Sequence, residues 1–152
     1  MARSTLLLAA LLFGVSTIWA ADPVLGTWTL NLGKSKYIPG PAPRSQTRVY
    51  GQDADGIKVT VVTVNPDGSS STVLYPANYD AREHPVAGSR DTDGIVMKRV
   101  DDRTAESVLK HAGMTMGIAR RTVSEDGRTM TITYQGESQG ERVNNIGVYD
   151  KK

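Results

Sequence analysis

Few side chains in this sequence combine a reactive type with a spacing that chemistry could use. Histidine occurs only at His84 and His111. Either could ligate a metal or haem, or serve as an acid–base group. They stand 27 residues apart, without the clustered His, Cys or carboxylate ligands of a zinc site. Solvated surface histidines are therefore the plainer expectation, and no metal or cofactor is expected. Asp53-Ala54-Asp55-Gly56 and Asp91-Thr92-Asp93-Gly94 resemble fragments of a calcium loop, but the third oxygen ligand and the distant Glu are missing. A hairpin turn accounts for each. Ser107-Val108-Leu109-Lys110 fits a Ser-x-x-Lys pattern, yet in a strand residues three apart face opposite sides. No nucleophile elbow, phosphate-cradling Gly loop or Ser-His-Asp set is present.

What remains is a binding wall rather than a reaction centre. Met114, Met116 and Ile118 share one face of a strand, and alternation places Arg120 on that same apolar face. An inward Arg is costly unless it meets an anion or a carboxylate. The other reading is that the face turns over at the strand end or that the side chain reaches outward. Tyr75 and Tyr134 could join Arg120 in a polar cavity wall, with Met114, Met116 and Ile132 as its apolar part.

The elements that must position these residues are strands. Asp-Gly pairs at 55–56, 67–68, 93–94 and 126–127 tolerate the positive φ of tight hairpins. Between turns lie segments rich in Val, Thr, Ile and Tyr, at 25–32, 46–52, 57–65, 70–77, 95–101, 105–111, 114–124, 129–135 and 143–149. Residues 129–134 alternate Thr with Met130, Ile132 and Tyr134, the period of a half-buried strand. No convincing amphipathic helix interrupts the run. The pattern predicts an all-β fold: a single antiparallel up-and-down barrel of about 8–10 strands, with a two-sheet sandwich as the alternative. Residues 33–45, carrying Pro39, Pro41 and Pro43, are expected to form a rigid loop across an open end. Residues 78–93 form a second irregular zone with one short edge strand near 85–87.

The 152 residues contain no cysteine, so disulfides and thiolate sites are excluded. Charge is nearly balanced at +2, unlike the basic excess of a nucleic-acid binder. Residues 1–20, with Arg3, an apolar run to Val15 and a small-residue exit at Ala20, have the layout of a secretory signal peptide. Removing 20 of 152 residues leaves 132 and, with Arg3 gone, a charge of +1. The remaining domain, 21–152, then has Trp28 as its single Trp and no Phe. A periplasmic or secreted location follows, with no membrane association after cleavage and a monomer by default.

Gly26-Thr27-Trp28, followed by Leu30 and Asn31, resembles the opening motif of the calycin superfamily, the lipocalins and fatty-acid-binding proteins. In those families the Trp plugs the closed base of a barrel. The chain end 148–152 resembles the last strand of fatty-acid-binding proteins. The stretch from Lys34-Ser35-Lys36-Tyr37 into the Pro-rich loop resembles a group of small secreted bacterial proteins of no established activity. Two departures stand out. Gly147 occupies the place of the Arg that clamps a fatty-acid carboxylate, and the Pro-rich loop replaces a helical lid. The resemblance implies a structural Trp28 and an interior that takes a small, mostly apolar or amphipathic ligand without chemistry. The alternatives are a filled barrel whose 37–43 and 78–93 loops bind a protein or glycan, and a barrel enzyme using His84 or His111.

Overall fold

The computed structural model describes residues 21–152, and the export segment expected at 1–20 lies outside them. The described residues form eleven strands: β1 Gly26–Leu30, β2 Lys36–Ile38, β3 Ser45–Asp53, β4 Gly56–Val64, β5 Ser70–Pro76, β6 Asp80–Pro85, β7 Gly94–Arg99, β8 Thr104–His111, β9 Met114–Val123, β10 Thr129–Ser138 and β11 Glu141–Lys151. They follow the order β5-β4-β3-β1-β11-β10-β9-β8-β7-β6, with β2 also on β11. Every pairing is antiparallel, as expected of strands joined by short turns. This is a nearly closed barrel of meandering strands rather than a sandwich, consistent with a calycin-like fold.

Strands β1 and β2 act as one broken strand along β11. Leu30 pairs with Tyr149 and Lys36 with Ile146, and a 3-10 turn at Leu32–Lys34 takes up the slack between them. The 33–45 stretch is thus less irregular than its prolines imply, because Lys36, Tyr37 and Ile38 precede the first of them and keep their N–H groups. The 78–93 zone departs from expectation likewise. Strand β6 begins at Asp80, several residues before the expected 85–87, and carries His84. Strand β10 also runs past the expected end at 135, since Gly136 and Glu137 pair with Val143 and Arg142.

One seam stays open. Between β5 and β6 the ladder is reduced to a bridge in which Leu74 and Ala87 exchange two N–H···O bonds, each 2.9 Å. Gly88, at φ +81°, passes so close to the Thr72 carbonyl that an added Cβ would lie 2.0 Å from its oxygen. Glycine is required there twice over, by dihedral angle and by space. A Gly88→Ala variant is expected to lose about 1–3 kcal/mol through strain at this position. Hydrogen exchange should then accelerate at the Leu74 and Ala87 amides before other strand amides. Unchanged protection at those two amides would contradict this view of the seam.

Inward residues close one end. Val24, Trp28, Val59, Val123 and Met130 are fully buried there. The Trp28 indole N–H donates to the Val24 carbonyl at 2.7 Å, so the segment before β1 is folded under the barrel as part of its base. Arg99 fixes this segment from outside, meeting the Asp22 carboxylate at 2.6 Å. Trp28 thus occupies the structural place at the barrel base that the Gly-x-Trp motif implies.

Candidate functional site

Above the base the interior holds a cavity of about 280 Å³. Part of the inner wall around it is made of small residues. Ala105 and Ser107 on β8, and Gly117 and Ala119 on β9, take inward positions. Tyr134 lies in the room this leaves: a Cβ at Gly117 would come within 2.6 Å of its ring. Val61, Val73, Val86, Ile95, Leu109 and Ile132 form the apolar lining.

The polar lining centres on two arginines from opposite walls, Arg48 on β3 and Arg121 on β9. Arg121 is only 5% exposed. Its Nη2 donates to the Tyr79 hydroxyl at 2.8 Å, while Nε and Nη1 are buried without a hydrogen-bond partner. Its guanidinium stands 5.5 Å from the centre of the Tyr50 ring and 5.6 Å from that of Tyr79, distances at which a ring face attracts a cation. Arg48 is half-buried, donates from Nε to Gln46 at 3.1 Å and from Nη1 to the Tyr75 hydroxyl at 3.4 Å, and lies 5.3 Å from the Tyr149 ring centre. Among the described residues neither guanidinium has a carboxylate within salt-bridge distance.

The surrounding hydroxyls do not supply the missing charge. Burial pushes the Tyr75 hydroxyl well above its ordinary range, and the neighbouring Tyr50 hydroxyl adds to that push. Burial raises Tyr79 and Tyr134 as well. These phenols therefore stay neutral donors and acceptors at any ordinary pH, and the two permanently charged guanidiniums keep their net charge. Gln46 ties the set together, accepting from the Tyr149 hydroxyl at 2.5 Å and donating to Thr63 at 2.8 Å.

The structure brings together three of the six residues expected to form the wall: Tyr75, Tyr134 and Ile132. Arg120 is corrected. It points outward, 49% exposed, and pairs with Glu106 at 2.6 Å. Met114 and Ile118, 64% and 58% exposed, share that outer face, and Met116 lies on an outer groove beside Ile38 and Asn144. The physical reason is the cavity itself. The inner face of β9 has to be small where Tyr134 lies across it, so the bulky apolar residues fall on the outside. Arg121 is the inward arginine of the pair.

Neither histidine belongs to the cavity lining. His84 lies 3.0 Å from the Asp80 carboxylate of its own strand, and His111 stands 3.5 Å from Asp93. Among the described residues no group of three or more His, Cys, Asp or Glu side chains could hold a metal. The Asp55-Gly56 segment is a hairpin turn, with the Asp53 carboxylate accepting from the Asp55 N–H at 2.9 Å. Two interior residues escape a reading of alternation alone: Arg48, in a strand with no apolar stripe, and Arg121, masked by its neighbour. No family model, curated protein or solved structure matches the chain.

Proposed function

We propose that this protein is an exported, calycin-like binding protein that holds a small molecule with an apolar body and an anionic group inside its barrel, without transforming it. One observation carries the reading: a cavity of about 280 Å³ whose wall presents two guanidiniums with no carboxylate within salt-bridge distance among the described residues. A buried, unpaired positive charge costs several kcal/mol. An anion seated between Arg48 and Arg121 offsets that cost, and the tyrosine hydroxyls around it supply further donors. The aliphatic wall provides the remaining burial, in the proportion usual for small-molecule sites. The cavity lies just below the usual range for such sites, about 300 Å³ upward, which restricts the ligand to one short chain or a compact ring system.

The test uses 1-anilinonaphthalene-8-sulfonate, an apolar body with one sulfonate. Wild-type protein is expected to bind one molecule with a rise in its fluorescence. The Arg48→Gln/Arg121→Gln double variant is expected to bind it at least tenfold more weakly, since hydrogen bonds to a charged group contribute about 1.5–3 kcal/mol. Equal affinity in the double variant would remove the arginines from the site. Native mass spectrometry of protein from its own host should also show a retained acidic molecule.

A further inference from the structure

The charge of the cavity turns on one amide, that of Gln46. Gln46 precedes Arg48 by two residues on β3, so both side chains take the inner face and line the chamber. Its amide oxygen accepts from Arg48 Nε at 3.1 Å and from the Tyr149 hydroxyl at 2.5 Å. Its amide nitrogen donates at 2.8 Å to the hydroxyl of Thr63, the residue directly opposite on β4. Gln46 thus holds both Arg48 and the Tyr149 ring, whose centre lies 5.3 Å from the Arg48 guanidinium.

Two donors, one of them cationic, converge on the Gln46 oxygen. That is a setting in which a carboxylate would bond more strongly than an amide does. The Thr63 hydroxyl, a donor or an acceptor as required, serves either group. Position 46 therefore holds the shape of Glu without its charge. Among the described residues the other hydrogen-bond and ring partners of the two guanidiniums are tyrosines, Tyr50, Tyr75, Tyr79 and Tyr149, and no acidic side chain has their shape. Of all these partners, Gln46 alone stands where a side chain of the same size would cancel the positive charge.

We propose that Gln46 determines the charge of the ligand: it positions Arg48 without neutralising it, and so makes the chamber prefer an anionic molecule to an uncharged one of the same shape. This rests on the binding reading above and assigns its charge selectivity to one residue. Selectivity is a difference of affinities, and a carboxylate at position 46 would act on it twice, by pairing with Arg48 and by repelling the ligand's anionic group. The experiment compares anilinonaphthalene sulfonate with N-phenyl-1-naphthylamine, the same molecule without its sulfonate. Gln46→Glu keeps both hydrogen bonds accepted at the oxygen, so Arg48 and Tyr149 stay in place. The variant is expected to bind the sulfonate dye at least tenfold more weakly than wild type, a difference of about 1.4 kcal/mol, and the uncharged dye within about threefold of wild type. Gln46→Leu removes the acceptor and adds no charge, so it should weaken the sulfonate dye less than Gln46→Glu does. The assignment is overturned, with the arginine site left standing, if Gln46→Glu binds the sulfonate dye as wild type does. The same holds if that variant loses both dyes equally, or if Gln46→Leu loses as much sulfonate affinity as Gln46→Glu. If wild type does not bind the sulfonate dye, or the Arg48→Gln/Arg121→Gln variant binds it equally well, the reading beneath the assignment falls as well.

Discussion

Replacing Arg121 with Met is expected to make the protein more stable and to weaken its binding of anilinonaphthalene sulfonate at least tenfold. The two effects share one cause. In the unliganded barrel Nε and Nη1 of Arg121 are buried without partners, and a buried unsatisfied donor costs about 1–3 kcal/mol. Exchanging buried charges for apolar side chains of similar volume often stabilises by about 1–4 kcal/mol. Met is flexible enough to occupy the space between Tyr50 and Tyr79. Its losses are the 2.8 Å bond to the Tyr79 hydroxyl, which removes about 1 kcal/mol, and the attraction of the Tyr50 and Tyr79 ring faces for the charge. A net gain of about 1–2 kcal/mol in denaturant unfolding is expected, with a higher midpoint in calorimetry. Anilinonaphthalene sulfonate binding should fall at least tenfold in the same variant. A site residue that destabilises the empty protein is what binding predicts, because function then maintains what stability disfavours. Loss of stability on Arg121→Met would instead mean that the ring faces of Tyr50 and Tyr79 already satisfy the charge, and the case for a ligand would weaken.

Trp28→Ala is expected to have the largest effect on folding. The side chain is fully buried, and truncating a buried Trp costs about 3–5 kcal/mol, a large share of the total of about 5–15 kcal/mol typical of a domain. The loss is not confined to packing. The Val24 carbonyl would lose its indole donor, and with it the tie that keeps residues 22–25 beneath the barrel. Circular dichroism in urea should show a much lower midpoint, or unfolded protein at 37 °C. Trp28→Phe separates the two contributions: it keeps most of the volume and drops the hydrogen bond, so it should cost about 1–2 kcal/mol. Equal stability of the Ala variant and wild type would mean that the base closes without Trp28.

The barrel could be read from the sequence because its signals are local. Asp-Gly turns and Thr-Val-Ile alternation act over a few residues, and 129–134 show in one strand which side faces in. The arginines could not be read in the same way. Along 114–121 the larger apolar residues mark the wrong face, since burial there is governed by the ring of Tyr134, supplied by another strand. Only the small residues Gly117 and Ala119, four and two positions before Arg121, indicate the inner face. In 46–50 the inward set is Gln46, Arg48 and Tyr50, which no hydrophobic pattern would select. The strand at Asp80–Pro85 was obscured for a similar reason: its residues are mostly exposed and charged, a composition suited to an edge beside an open seam and uninformative about pairing.

The small wall formed by Ala105, Ser107, Gly117 and Ala119 has an evolutionary consequence. The room inside the barrel is encoded by atoms these positions lack, so nearly every amino-acid change there can only add matter. Mutation in this wall is therefore lopsided. It can shrink or reshape the chamber in one step, whereas enlarging it requires changes among the aliphatic residues that hold the barrel together. Lineages should narrow the chamber readily through these four codons and widen it slowly, so a descendant with a filled chamber would be the easiest one to reach.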